Sequence, residues 1–138
     1  MYRVVLDTNV LVAALRSKTG ASFRLLSLLG DHRWKPVVSV ALALEYEEIA
    51  NRQATLLGLD EWVIESIIDM ICKEGVHQSI RFRVRPALKD CSDEFILELA
   101  VAGQADFIVT HNVRDFVGAE SYGVRVVTPG EFLRTIGA

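Results

Sequence analysis

An acid interrupts an apolar run near the start of the chain. VVLDTNVLVAAL, residues 4–15, carries Asp7, Thr8 and Asn9 between Leu6 and Val10. A carboxylate moved toward an apolar environment loses several kcal/mol of hydration unless a partner or a metal compensates. Two compensations fit the residue types. Asp, Thr and Asn all cap the orphan N–H groups where a strand turns into a helix, or the carboxylate faces a cation. Other acids stand in comparable places. Glu45 lies in the helical segment after PVVSV, and Asp93 shares a helical face with the apolar Ile96, Leu97 and Ala100. Asn112 and Asp115 follow the apolar segment that ends at Thr110. A solvated acid belongs on the opposite helix face from Asp93, and Glu94 and Glu98 read as such surface charges. Acids converging from distant segments raise one another's pKa unless a cation intervenes. Mg2+ or Mn2+ suits carboxylate oxygens, and one or two such ions orient an attacking water and stabilise charge on a phosphodiester.

The elements that must position these acids alternate. YRVVL (2–6), PVVSV (36–40), DFIVT (106–110) and GVRVV (123–127) are short apolar runs suited to buried strands. Between them lie helical segments after Asn9, over 20–30 with Gly30 as a stop, over ALALEYEEIANRQ, over 58–75 and over 93–103. In the fourth, Asp60 is the expected N-cap and Gly75 the end. The last helix opens on Thr128, Pro129 and Glu131, an N-cap, a first-turn proline and a capping-box acid. Alternating strands and helices predict an α/β domain with a central, mainly parallel sheet and helices on both faces. In such a sheet, sites form beyond the C-terminal strand ends, where Asp7 and Asn112–Asp115 fall.

With 138 residues and 51% hydrophobic content, the chain is expected to form one domain over 1–138. No leader pattern or membrane-length apolar run is visible, so a soluble cytoplasmic protein is expected. Cys72, in a helix, and Cys91, in a loop, read as ordinary reduced thiols. Fifteen basic and 18 acidic residues leave a net charge of −3, which excludes a general positive field for nucleic acid. Any such contact must be local. SIRFRVRP (79–86) alternates Arg81, Arg83 and Arg85 with Ile80, Phe82 and Val84. That pattern fits an edge strand protected by charge or a stripe that contacts phosphates.

Three blocks resemble the PIN-domain family, in particular the toxin components of toxin–antitoxin systems. They are VVLDTNVLVAAL, SVALALEYEEIANR, and KDCSDEFILELAVAGQADFIVTHNVRDF with GVRVVTPGEFL, in that order. The resemblance implies a three-layer α/β/α fold and a ribonuclease dependent on Mg2+ or Mn2+. It places the family acids at Asp7, Glu45 and Asp93, with Asp90 as a neighbouring acid. The fourth falls on Asp115, with Asn112 as a polar contact, and Thr8, Asn9 and Thr110 match polar positions near the metal. It further implies an RNA substrate, a small antitoxin that blocks the site, and a homodimer. An RNA-processing nuclease outside a toxin–antitoxin pair, or a catalytically silent PIN binding module, is the alternative. A haloacid-dehalogenase-like phosphatase needs a second Asp where Asn9 stands, and a receiver module needs an acidic pair near the first strand.

Overall fold

A computed structural model describes residues 1–80 and 91–138, with the side chains of residues 91–93 excepted. The order is β1 (Tyr2–Leu6), α1 (Thr8–Arg16), α2 (Ala21–Ser27), β2 (Trp34–Val38), α3 (Val40–Leu57), α4 (Glu61–Glu74), β3 (Val76–His77), α5 (Cys91–Ala102), β4 (Phe107–Val109), β5 (Arg125–Val127) and α6 (Pro129–Ile136). Among the described residues the strands form one sheet in the order β3-β2-β1-β4-β5, and every pairing there is parallel. The expected α/β architecture with a central parallel sheet between helices is the one observed.

Strand periodicity divides the core. Successive strand residues face opposite sides of a sheet, so Val5 and Ile108 pack with Tyr46, Ile68 and Leu97 on one side. Val4, Leu6, Phe107 and Val109 pack with Leu25 of α2 and Phe132 of α6 on the other. α1 straddles the two layers, with Leu11 in the first and Val10 in the second. Both faces are therefore apolar over Val4–Leu6 of β1 and Phe107–Val109 of β4, which is why these stretches read as unbroken hydrophobic runs.

Several expectations change in detail. The segment 20–30 stops being α-helical at Ser27, and Gly30 follows in the left-handed region at φ 92°. Asp60 occupies the N-cap position of α4, but its side chain makes no capping hydrogen bond. Cys91 and Ser92 open α5 and do not lie in a loop. The short strand β3 was not expected, because two residues are too few to show a period. Arg81, Arg83 and Arg85 of the arginine stripe lie outside the described residues. The capping box at α6 is present as expected: Thr128 accepts from the Glu131 N–H, and Glu131 accepts from the Thr128 N–H.

Gly75 joins α4 to β3 where backbones crowd. A Cβ there would lie 2.7 Å from the Ile71 carbonyl oxygen and 3.1 Å from that of Pro36. Gly75→Ala is expected to destabilise the protein by about 1–3 kcal/mol through steric overpacking. Thr128→Ala should lower stability by about 1 kcal/mol through loss of the cap. Urea unfolding measures both, and a Gly75→Ala variant as stable as the parent contradicts the crowding argument.

Candidate active site

The strand order creates the crevice. From β1 the chain winds outward through β2 to β3, and from β4 it winds the other way to β5, so the direction reverses between β1 and β4. Ligand sites in open parallel sheets form at such a point, past the carboxyl ends of the strands. Leu6 and Val109 are register partners at those ends. The ladder continues one residue further, with the Asp7 N–H donating to the Val109 carbonyl and the Thr110 N–H to that of Val127, each at 2.9 Å.

Asp7 and Thr110 thus emerge side by side. The fully buried Thr110 hydroxyl donates to Asp7 Oδ2 at 2.8 Å. The Thr110 hydroxyl oxygen, Oγ1, also accepts the Asn112 N–H at 3.0 Å and the Asn9 Nδ2–H at 3.3 Å. Asn9 Oδ1 in turn accepts the His111 N–H at 3.3 Å. A hydroxyl has one proton to give, and here it goes to Asp7.

The geometry separates Asp7 from a capping role. It occupies the N-cap position of α1 with extended backbone, yet its side chain makes no capping hydrogen bond. Thr8 and Asn9 are engaged elsewhere: the buried Thr8 hydroxyl donates to Glu45 Oε2 on α3, and Asn9 braces the loop after β4. The neighbour of Glu45 completes the link, since the buried Tyr46 hydroxyl donates to the Leu6 carbonyl at 2.6 Å. Burial, then the charges of Asp7 and Glu45, push that phenol well above its ordinary pKa, so it stays a donor. Sequence reasoning missed Tyr46 because an aromatic residue at a core position reads as packing alone. Its position directly beside Glu45 was the available signal.

Asp7, Glu45, Asn112 and Asp115 line one cavity of about 740 Å³. Burial is the main influence that raises the Asp7 pKa. The Thr110 hydroxyl and the Thr8 N–H pull it down, and the charges of Glu45 and Asp115 push it up again. Asp115 sits exposed on a 3-10 turn, Val113–Phe116, a feature too short for periodicity to reveal. Asp93 falls in the first turn of α5, and Ile96, three residues on, lines the same cavity. The side chain of Asp93, and Asp90 altogether, lie outside the described residues. Among the described residues no three His, Cys, Asp or Glu side chains form a complete metal-holding group. The donors present are nonetheless hard oxygens, and the raised Asp7 pKa marks a charge that lacks compensation. Both features fit Mg2+ or Mn2+.

An acid whose folded pKa lies above its unfolded value takes up its proton more readily when folded. The metal-free protein therefore loses stability as pH rises from 3.8 through the raised folded value, and stays at the lower level above it. Asp7→Asn removes that penalty. At neutral pH the metal-free variant is expected to melt above the parent, with the difference closing in acid. A variant that melts below the parent at neutral pH contradicts this account of Asp7.

Comparison with known proteins agrees with the geometry. No curated protein and no solved structure matches the chain. A family model described as PIN domain matches residues 3–114, which run from β1 into the 3-10 turn and end one residue before Asp115. With that match over most of its length, the chain belongs to the PIN-domain family.

Proposed function

We propose that the protein is an endoribonuclease dependent on Mg2+ or Mn2+ that hydrolyses RNA phosphodiester bonds. The observation that carries the reading is the gathering of Asp7, Glu45 and Asp115 around one cavity at the sheet's switch point, with Asp7 short of compensating charge. Asp7, Glu45, Asp93 and Asp115 would hold the metal, with Asp90 as a further acid. When bound, the ion supplies an activated water and stabilises charge on the phosphate.

The chain's own residues contribute orientation. Thr110 fixes the Asp7 carboxylate through a hydrogen bond to Oδ2. Thr8 holds Glu45 Oε2 in the same way. Tyr46 ties α3 to the end of β1, which fixes the placement of Glu45 relative to Asp7. These contacts hold a donor set in place before substrate arrives, which reduces the reorganisation needed at the moment of reaction.

The finer assignment is the toxin of a toxin–antitoxin pair, acting as a homodimer and silenced by a small antitoxin. It rests on the resemblance of the DTN, EYEE and THNVRDF blocks to that branch of the family. Expression without a partner is then expected to arrest growth, with relief by Asp7→Asn. Growth arrest that persists in the variant removes the nuclease explanation of toxicity.

The nuclease itself is tested by cleavage of RNA with Mn2+ or Mg2+. Asp7→Asn and Asp93→Asn should each lower the rate by about 100-fold or more while remaining folded. Cleavage equal to the parent in both variants overturns the reading.

A further inference from the structure

The acid-lined end is only part of the cavity. α1 and α3 run side by side in the same direction, bridged at both ends by hydrogen bonds between residues 37 apart in sequence: Thr8 to Glu45, and Arg16 Nη2 to Gln53 Oε1 at 2.9 Å. The second bridge lies eight residues along each helix from the first, or ~12 Å at 1.5 Å per residue. Arg16, Ser17 and Gln53 line the same cavity as Asp7 and Glu45. Between the two ends lie Val12 and Ala13 from α1 and Ile49 from α3, one turn after Glu45 and one before Gln53. The feature is a groove with an acidic end, an apolar middle and a basic end.

A polyanion entering this groove meets repulsion at the acids unless cations are present, and attraction at Arg16. Arg16 is the one Lys or Arg among the described residues that line the cavity. Its bond to Gln53 engages one of five guanidinium N–H donors, and the planar fork suits a phosphate. The separation of ~12 Å corresponds to roughly two to four nucleotides of a single strand, according to its extension. The half-buried Val12, Ala13 and Ile49 offer aliphatic surface to the sugars and bases between.

We propose that Arg16, held by Gln53, is a second phosphate anchor that aligns single-stranded RNA along the α1–α3 groove, several nucleotides from the bond cut at the acids. The inference rests on the nuclease reading for the acid end, but the anchor is measurable without turnover. Arg16 is here a positioning residue: it touches the strand away from the reacting atoms.

The test is equilibrium binding of a labelled octaribonucleotide with Ca2+ in place of Mg2+, with an unlabelled dinucleotide as competitor. The parent is expected to bind the octamer at least about fivefold more tightly than the dinucleotide. Arg16→Ala should abolish that length advantage and reduce the slope of log affinity against log salt by ~0.7, the value for one phosphate on a single strand. Gln53→Ala should reduce the advantage in part, and Arg16→Lys should keep the salt slope while weakening the affinity. Both side chains lie at the surface end of the groove, so melting curves of all three variants should match the parent. An unchanged length advantage in Arg16→Ala, or no length advantage in the parent, overturns the anchor. Cleavage by the parent in Mn2+ is scored separately. Its absence with the anchor intact rejects the nuclease reading, and its presence with an unchanged Arg16→Ala profile rejects the anchor alone.

Discussion

The Thr110 hydroxyl has one proton, and Asp7 receives it. That bond joins the ends of two adjacent strands, β1 and β4, at the point where the sheet reverses its winding. Neither strand can slip by one residue without breaking it, because a slip would also turn Leu6 and Val109 away from their shared core. The alternation of Val4, Val5 and Leu6 between the two faces thus fixes where a carboxylate emerges. Around the bond, Asn9 and Asn112 converge on the same oxygen, and Thr8 and Tyr46 bring α3 to the opposite side. A polar network of this kind is stable in a half-buried place only when its members find partners. Here the partners are satisfied, and the charge of Asp7 is the part that remains unbalanced.

That imbalance explains why the site is expensive to keep without an ion. Two further acids lie close enough to raise the Asp7 pKa, and no lysine or arginine among the described residues lining the cavity stands at the acidic end. The protein carries a net charge of −3, so attraction for a polyanion must come from local cations. The groove between α1 and α3 supplies one, Arg16, at a distance from the acids. On the proposed reading, separating the attractive charge from the acids avoids a direct ion pair that would neutralise Asp7 or Glu45 in place of a metal.

The fold was legible because its signals are long or chemically distinctive. Short apolar runs marked β1, β2, β4 and β5, although β2 spans Trp34–Val38 and Ser39 and Val40 of the expected run open α3 instead, and Thr128-Pro129-Gly130-Glu131 marked the start of α6 through its capping chemistry. The two-residue β3 and the 3-10 turns after Asn112 were not legible, since neither spans a period. The site was legible in part. Asp7 stood out as an acid within apolar sequence, and its neighbours Thr8 and Asn9 as polar company. Their division of labour was not readable, because the choice between capping a helix and bonding Thr110 or Glu45 depends on contacts 37 to 103 residues distant. Tyr46 and Arg16 were hidden for the same reason: one reads as core and the other as an ordinary helix-terminal cation.

The central claim is that Asp7 is a carboxylate held in place for a divalent cation. Titration calorimetry of the purified protein with Mn2+ tests it most directly. The account predicts saturable binding by the parent, weakened at least about tenfold in Asp7→Asn, whose fold is retained. Saturable binding of equal strength in the variant, or none in the parent, would contradict it.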